Sequence, residues 1–253
     1  MPLSSTTTIL SDCHISEDNE RQANLVAFLD TREGLRVVLA GDIFDTWWGW
    51  GVSKPERYLP TLSAIERMLA RGLEVVFIPG NHDFSAGPTL SQMGVRVVSR
   101  FVLSNTDGQC VVLHGDAFDQ RLSQRLLNWV LRGWIGRLIM AVFPKNIGYR
   151  LASWLTGGAD RTDSYDRGVQ QRQLVQQQEW VFESLMPEVS YVFVGHTHAP
   201  GVTQRGQKFL VNLGDWTEHL SYAEIDDSAV RLLRWNFGNA ATPILGEPRW
   251  RGE

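Results

Sequence analysis

The chain has 253 residues, a formal net charge of −4 at pH 7, and a composition of 43% hydrophobic and 21% charged residues. This length allows one large domain with its own core, or one domain carrying an insertion. The negative charge gives no general attraction to polyanions, which argues against a dedicated nucleic-acid binder. With only two cysteines a disulfide framework is not expected, and a reducing compartment is favoured.

The N-terminal segment Met1–Thr8 lacks the basic and apolar stretches of a cleaved signal, so we expect a cytoplasmic protein. Apolar runs and their spacing predict strands at 7–10, 35–40, 73–79, 95–98, 101–104 and 109–113, with helices at 17–30 and 57–71. A helix at 169–186 is followed by strands at 190–194, 208–212, 220–225 and 229–235. From Gly238 no secondary structure is predicted. This order indicates an α/β fold with a mixed sheet or two packed sheets and outer helices.

Residues 118–166 interrupt the alternation of strands and helices. Between Gln120 and Ala159 the sequence has no Asp or Glu and contains six Arg or Lys residues. The same stretch contains Trp129, Trp134 and Trp154. The arginines leave no run long enough to span a bilayer. A basic, aromatic, helical segment suits an interfacial surface or an acyl-chain pocket, and it equally suits a helical cap packed on the main domain. We therefore divide the chain into a main domain (1–117 and 167–237), a helical cap insertion (118–166) and a tail (238–253).

Ligand-type residues directly follow five of the predicted strands. In chain order the motifs are Asp12-Cys13-His14, Gly41-Asp42-Ile43-Phe44-Asp45, Gly80-Asn81-His82-Asp83, His114-Gly115-Asp116 and Gly195-His196-Thr197-His198. Open α/β sheets bind ligands at the carboxyl ends of their strands, where loops from distant parts of the chain meet. Each motif alone is weak, because a Gly-Asp turn can cap a helix and a histidine pair can lie on a surface. Together they predict a metal centre.

Seven side chains supply the carboxylate, imidazole and amide oxygen donors of this centre: Asp12, His14, Asp42, Asn81, His114, His196 and His198. Nitrogen and oxygen donors without thiolate suit manganese, iron or zinc, of which we favour manganese. Seven donors are too many for one ion and suit two, with a carboxylate such as Asp42 between them. Two cations roughly 3.5–4 Å apart clamp the oxygens of phosphoryl transfer and activate a water, so no Ser or Cys nucleophile is needed.

The order of the motifs resembles the calcineurin-like metallophosphoesterase superfamily over most of residues 7–200. This resemblance implies an α/β/β/α sandwich of two sheets with two divalent metal ions at the strand ends. One metal would take Asp12, His14, Asp42 and His198, and the other Asp42, Asn81, His114 and His196. His82 is similar to the superfamily's histidine that contacts the phosphate and can protonate the leaving oxygen. Asp45 resembles the carboxylate that orients this histidine and favours its protonated form.

The chain also resembles a narrower family, the UDP-2,3-diacylglucosamine hydrolases of the bacterial lipid A pathway, which release UMP. The shared features are a Trp after Gly41–Asp45, an insertion after His114-Gly115-Asp116, Gly195–Pro200 and Val211–Trp216. This resemblance implies a nucleotide-linked glycolipid as substrate, acyl chains sheltered by the insertion, and peripheral contact with the inner membrane. There are two departures: His82 stands where those enzymes usually have Arg, and Gly158–Arg167 replaces a run rich in Asn, Ser and Lys.

Several residues near these motifs have further predicted roles. Trp47, Trp48 and Trp50 can stack on a base or line a lipid pocket, with packing at the sheet edge as the alternative. We assign Trp47 to substrate binding, with Asn81 and His82. Asp83 and Asp116 are expected to accept N–H bonds near the ligands, and His219 is expected to be structural.

Two alternative functions remain open. One is a metallophosphoesterase that acts on soluble phosphodiesters or phosphomonoesters. The other is a metal-binding module without catalysis, against which the complete ligand set with His82 and Asp45 argues.

Overall fold

The computed structural model describes residues 6–16, 19–47, 54–105, 108–118, 142, 167–184, 188–226 and 229–244. Within these residues the helices are α1 (Asn19–Asp30), α2 (Leu59–Ala70), α3 (Gly87–Gln92) and α4 (Arg167–Ser184). The strands are β1 (Thr7–Leu10), β2 (Arg36–Leu39), β3 (Glu74–Phe77), β4 (Arg96–Val97), β5 (Phe101–Asn105), β6 (Gly108–Leu113), β7 (Val189–Val194), β8 (Gly201–Arg205), β9 (Lys208–Asn212), β10 (Ser221–Ile225), β11 (Val230–Asn236) and β12 (Asn239–Pro243).

These strands form two sheets. The first has the order β12-β11-β10-β1-β2-β3-β4, and the second has the order β5-β6-β7-β9-β8. In the first sheet β1, β2 and β3 are parallel neighbours, and in the second β6, β7 and β9 are. In each sheet the carboxyl ends of the central parallel strands therefore lie side by side at one end of the sheet.

Successive residues of the central strands pack into different layers. From β1, Ile9 joins the apolar cluster between the two sheets, while Leu10 packs on the helix side with Phe28 of α1. On the outer face of the second sheet, Val192 packs with Val181 of α4. Strands buried on both faces read as continuous apolar runs, which is why they could be predicted. The predicted α/β/β/α two-sheet sandwich is confirmed.

Two strands and one helix were not predicted: β8, β12 and α3. Our assignment of no structure after Gly238 is wrong for Asn239–Pro243, which pairs with β11 in an antiparallel hairpin. Phe237 and Gly238 form the turn, with φ angles of 49° and 87° that suit a two-residue hairpin loop. The strand itself is Asn-Ala-Ala-Thr-Pro, which has low β propensity and no alternation, so pairing with β11 determines its structure.

The predicted cap insertion at 118–166 lies outside the described residues, except for Phe118 and Val142. Its separation from the main domain therefore stays a prediction. Among the helices that the structure describes, none has the length and hydropathy needed to cross a bilayer.

Candidate metal centre

The motif loops after β1 and β2 are joined by backbone hydrogen bonds. The Asp12 N–H donates to the Gly41 carbonyl oxygen (3.0 Å), and the His14 N–H donates to the Asp42 carbonyl oxygen (2.9 Å). The second sheet reaches the same place, since the His196 N–H donates to Oδ2 of Asp12 (2.9 Å). The carboxyl ends of strands from both sheets therefore meet at one site.

Three groups of donor atoms lie among the described residues at this site, each with its atoms within 4.8 Å of one another. Two consist of predicted ligands: the first group is Asp12, His14 and His198, and the second group is Asp42, His114 and His196. The third is His14, Asp45 and His82. In the first group, His198 Nε2 lies 3.2 Å from His14 Nε2 and 3.4 Å from Asp12 Oδ1. In the second, His114 Nε2 lies 3.3 Å from Asp42 Oδ2 and 3.2 Å from Asn81 Oδ1. The structure thus brings together all seven predicted ligands.

Asp42 lies between the two groups. Its Oδ2 is 3.3 Å from His114 Nε2 in the second group and 4.0 Å from His14 Nε2 in the first. Its Oδ1 accepts the backbone N–H of His82 at 2.8 Å, which fixes the carboxylate in this orientation. A carboxylate placed in this way can serve two cations at once.

The donor set fits a metal ion. Asp12 Oδ1 is buried and accepts no hydrogen bond from any residue within the described ranges. A buried carboxylate oxygen without a partner costs free energy, which a bound cation would offset. The ring of His114 has its Nδ1–H donated to the Ala40 carbonyl oxygen (3.0 Å), so Nε2 is the atom left to face Asn81 and Asp42.

The backbone at the site is strained. Five of the seven predicted ligands have positive φ angles, a conformation that non-glycine residues rarely adopt: Asp12 (52°), His14 (42°), Asp42 (52°), His196 (72°) and His198 (55°). Such strain persists only where the surrounding structure holds it, and it concentrates at functional sites.

The pKa shifts of His14 and Asp12 favour metal binding at this site, whereas the shift of His114 opposes it. Burial, and then the charge of His82, lower the pKa of His14 to about 3, so its ring is neutral at pH 7. Burial alone would raise the pKa of Asp12, but the neighbouring His198 ring lowers it to about 2. The pKa of His114 is raised well above its usual value because Asp42 outweighs burial. A cation would therefore compete with the His114 proton.

Residues 5–200 match the sequence profile of the family described as Calcineurin-like phosphoesterase. The chain belongs to this family. A UDP-2,3-diacylglucosamine hydrolase of Sodalis glossinidius is 25% identical over 242 residues, covering 92% of this chain and 99% of that protein. One from Salmonella arizonae is 27% identical over 238 residues, covering 90% and 98%. Family and relatives identify a metal-dependent hydrolase that uses divalent ions.

Solved structures of similar proteins give only loose superpositions. A conserved uncharacterized protein from Streptococcus pneumoniae TIGR4, described as a predicted phosphoesterase, has 17% identity and a TM-score of 0.45, with 98% of this chain and 99% of that chain covered. The E. coli phosphoesterase YfcE has 16% identity and a TM-score of 0.44, with 95% and 100% covered.

Within this phosphoesterase, Asp83 joins the loops that carry Asp42 and Asn81. Its Oδ1 accepts the Gly80 N–H (2.9 Å), and its Oδ2 accepts the Ile43 N–H (2.8 Å). The predicted role of Asp83 as an acceptor near the ligands is confirmed. Asp116 begins the short 3₁₀ helix Asp116–Phe118, and its predicted role stays a prediction.

His82 lies beside the first donor group. Its ring is 4.8 Å from the His14 ring, edge to face, and its Nδ1–H donates to the backbone carbonyl oxygen of Asp45 (2.8 Å). The sequence predicts that the Asp45 carboxylate orients this ring. The main-chain oxygen of the same residue does so here, while the carboxylate belongs to a donor group with His14 and His82. The contact fixes one tautomer of His82 in either case.

Trp47 does not lie where substrate could reach it, which corrects our assignment. The side chain is 2% exposed and belongs to the core. Its ring stacks on Tyr58 (5.5 Å) and contacts Phe44 edge to face (4.8 Å). A ring covered in this way cannot stack on a nucleobase. Trp48 and Trp50 lie outside the described residues.

A buried amide network lies behind the loop Gly195–His198, and it could not be predicted from the sequence. Gln177 of α4 is 1% exposed, and its Nε2 donates to the Gly195 carbonyl oxygen (3.2 Å). Its Oε1 accepts from Asn212 Nδ2 (3.2 Å), which also donates to Thr197 Oγ1 (2.5 Å). In the sequence, Gln177 belongs to a glutamine-rich segment of the predicted helix, and such a segment is typical of a solvent-exposed surface. The network supports the backbone that presents His196 and His198.

We expect Gln177→Ala to weaken metal binding about tenfold, because residues that support ligands typically contribute 10–100-fold to metal affinity. Titration calorimetry with Mn²⁺ measures this directly. Gln171→Ala is the matched control, since Gln171 is exposed on the same helix and should leave the affinity unchanged. Equal affinity of both variants and the wild type would remove the role of the network.

Proposed function

We propose that this protein hydrolyses the diphosphate bond of a UDP-diacylglucosamine-type lipid to UMP and a lipid phosphate. The observation that carries the phosphoester chemistry is the position of the Asp42 carboxylate between two groups of metal-type donors. Similarity to UDP-2,3-diacylglucosamine hydrolases over 90–92% of the chain supports the choice of substrate.

We assign Asp12, His14, Asp42 and His198 to one metal ion, and Asp42, Asn81, His114 and His196 to the other. Manganese is our first choice, with iron or zinc as alternatives, because the donors are nitrogen and oxygen atoms without thiolate. Two such ions would withdraw charge from the phosphoryl oxygens and would lower the pKa of a water molecule, so that hydroxide could attack phosphorus.

His82 is assigned to the substrate phosphate and the leaving oxygen. Its Nδ1–H is donated to the backbone carbonyl oxygen of Asp45, which fixes the orientation of the ring beside the first donor group. The residue is 5% exposed, so little water surrounds the ring. Asn81, next to it, has the amide oxygen near His114 and is assigned to both metal and substrate.

A second candidate is hydrolysis of soluble phosphodiesters or phosphomonoesters. His82 favours it, because the lipid A hydrolases usually carry Arg at this position and His matches the broader superfamily. A non-catalytic metal-binding module is not retained, since family and relatives identify a hydrolase.

The two candidates predict different substrate preferences. With Mn²⁺ supplied, we expect UMP release from UDP-2,3-diacylglucosamine with kcat/KM at least 100-fold above that for bis(p-nitrophenyl) phosphate, and loss of both activities after EDTA treatment. UMP is quantified by liquid chromatography. Hydrolysis of the chromogenic diester alone would reject the lipid substrate and support the second candidate.

We further propose that the insertion contacts the inner membrane surface through its basic and aromatic residues. Replacing Trp129 and Trp134 by Ala should lower the fraction of protein that pellets with anionic phospholipid vesicles at least fivefold, since both tryptophans belong to an amphipathic basic segment. The wild type at high salt is the control, because salt screens the attraction between basic residues and anionic lipid. Unchanged pelleting of the double variant would remove membrane contact.

A further inference from the structure

The loops after β2 and β3 are fastened to each other beside the candidate metal centre. The Trp47 N–H donates to the His82 carbonyl oxygen (3.1 Å), and the Ser85 hydroxyl donates to the Trp47 carbonyl oxygen (2.5 Å). The His82 Nδ1–H donates to the carbonyl oxygen of Asp45, two residues before Trp47 (2.8 Å). The position of the segment Asp45–Trp47 therefore determines how the His82 ring is oriented beside the first donor group.

A single peptide group holds the His82 ring. The Asp45 carbonyl oxygen and the Thr46 N–H belong to the same planar peptide unit, so fixing one end fixes the other. At the carbonyl end, the oxygen accepts the Thr46 hydroxyl (2.7 Å) as well as the His82 ring, and its two lone pairs allow both bonds. At the N–H end, Thr46 donates to the hydroxyl oxygen of Tyr58 (3.3 Å), and this hydroxyl donates in turn to the Thr46 carbonyl oxygen (2.6 Å). Thr46 and Tyr58 therefore fix the peptide group at its two ends.

The Tyr58 side chain is itself held in place by the core. Tyr58 ends the short 3₁₀ helix that precedes α2, and it is fully buried. Its ring packs on Phe44 (4.7 Å between ring centres) and on Trp47 (5.5 Å). A phenylalanine would fill the same space. Packing therefore accounts for the ring of Tyr58, whereas its two hydrogen bonds to the Thr46 backbone give the hydroxyl a separate role.

We propose that Tyr58 and Thr46 are positioning residues for His82, which they orient through the peptide group between Asp45 and Thr46. This inference rests on the proposed function, in which His82 serves the leaving oxygen. Without either hydroxyl the peptide group can tilt, and the His82 ring turns with it. Misorientation of a group that stabilises the leaving oxygen slows the departure of a poor leaving group. A good leaving group needs little such help and is affected less.

The test uses variants that remove single hydroxyl groups from the Mn-loaded protein. Tyr58→Phe keeps the ring, Thr46→Val keeps the shape of the side chain, and Thr46→Ser keeps the hydroxyl as the conservative variant. Tyr222→Phe is the matched control, because Tyr222 is also buried in the core and its hydroxyl bonds to Arg32. Metal content by mass spectrometry and the melting temperature show whether each variant keeps the centre and the fold.

Two esters of UMP are compared, the p-nitrophenyl ester with a good leaving group and the phenyl ester with a poor one. In Tyr58→Phe and in Thr46→Val we expect kcat for the phenyl ester to fall at least tenfold. We expect kcat for the p-nitrophenyl ester to stay within threefold, as should KM for both esters. Thr46→Ser and Tyr222→Phe should match the wild type. A loss of general structure would lower kcat for both esters alike.

A double variant tests whether Tyr58 acts through His82. His82→Ala alone should lower kcat for the phenyl ester more than kcat for the p-nitrophenyl ester. Adding Tyr58→Phe to His82→Ala should change kcat for the phenyl ester less than twofold, because the ring to be oriented is already gone.

Equal losses for the two esters, no loss for either, or a tenfold further loss in the double variant would overturn the inference. Should Tyr58→Phe fail to fold, Thr46→Val against Thr46→Ser decides in the same way.

A measurement without turnover separates this inference from the proposed function. In the Zn-loaded protein, NMR follows exchange of the His82 Nδ1 proton with water, and His82→Ala assigns the signal. We expect exchange at least tenfold faster in Tyr58→Phe than in the wild type or Tyr222→Phe, and equal rates would overturn the inference. This measurement decides if the wild type hydrolyses neither ester. If the wild type also leaves UDP-2,3-diacylglucosamine intact, the proposed function is rejected.

Discussion

Asp42→Asn is expected to lower kcat/KM for any phosphoester substrate by at least about 10³, since metal ions supply several kcal/mol of stabilisation in the transition state. Asp42 is the carboxylate whose Oδ2 faces His14 at 4.0 Å and His114 at 3.3 Å. An amide in its place lacks the negative charge that would hold two cations. The measurements are steady-state kinetics with Mn²⁺ and metal content per chain.

Asp30→Asn provides the control for Asp42→Asn. Asp30 ends α1 and forms an exposed ion pair with Arg67 (2.8 Å), and exposed pairs contribute little to stability. This variant should keep wild-type activity and metal content. An Asp42→Asn enzyme with near-normal turnover and two bound metals would refute the assignment of Asp42.

Gly80→Ala and Gly195→Ala are expected to abolish metal binding and to lower activity at least 100-fold. A Cβ added at Gly80 would lie 2.1 Å from Asp42 Oδ1, and one added at Gly195 would lie 2.3 Å from Asp12 Oδ2. These distances are far below van der Waals contact, so the carboxylates would have to move. Even a displacement of about 1 Å at a reacting centre can cost 100-fold in rate.

Gly201→Ala is the matched control, because a Cβ there meets no atom within 4 Å. Mn²⁺ affinity and activity of this variant should equal those of the wild type. Equal Mn²⁺ affinity and equal activity in all three glycine variants would show that the close approach of Gly80 to Asp42 and of Gly195 to Asp12 has no part in the function.

Much of the centre could be predicted because its residues occur in short motifs directly after apolar runs. Asp12 and His14 follow β1, and Asp42 follows β2, so the parallel pairing of these strands brings them together. The same rule places His114 after β6 and His196 after β7. Position relative to a strand end is a local property of the sequence, and burial on both faces makes such strands easy to recognise.

Residues whose roles depend on distant packing could not be predicted. Trp47 reads as an exposed aromatic after a reactive motif, but Tyr58, eleven residues later, covers its ring. Gln177 meets Asn212 only because α4 packs over the second sheet at the end of β9. In each case the partner is set by tertiary structure and leaves no periodic pattern in the sequence.

The most direct test of the account is anomalous diffraction from crystals of the Mn-loaded protein. We expect two peaks roughly 3.5–4 Å apart, with Asp42 ligating both ions. Asp12, His14 and His198 should complete one site, and Asn81, His114 and His196 the other. A single peak, or peaks away from these seven side chains, would contradict the assignment of a dinuclear centre.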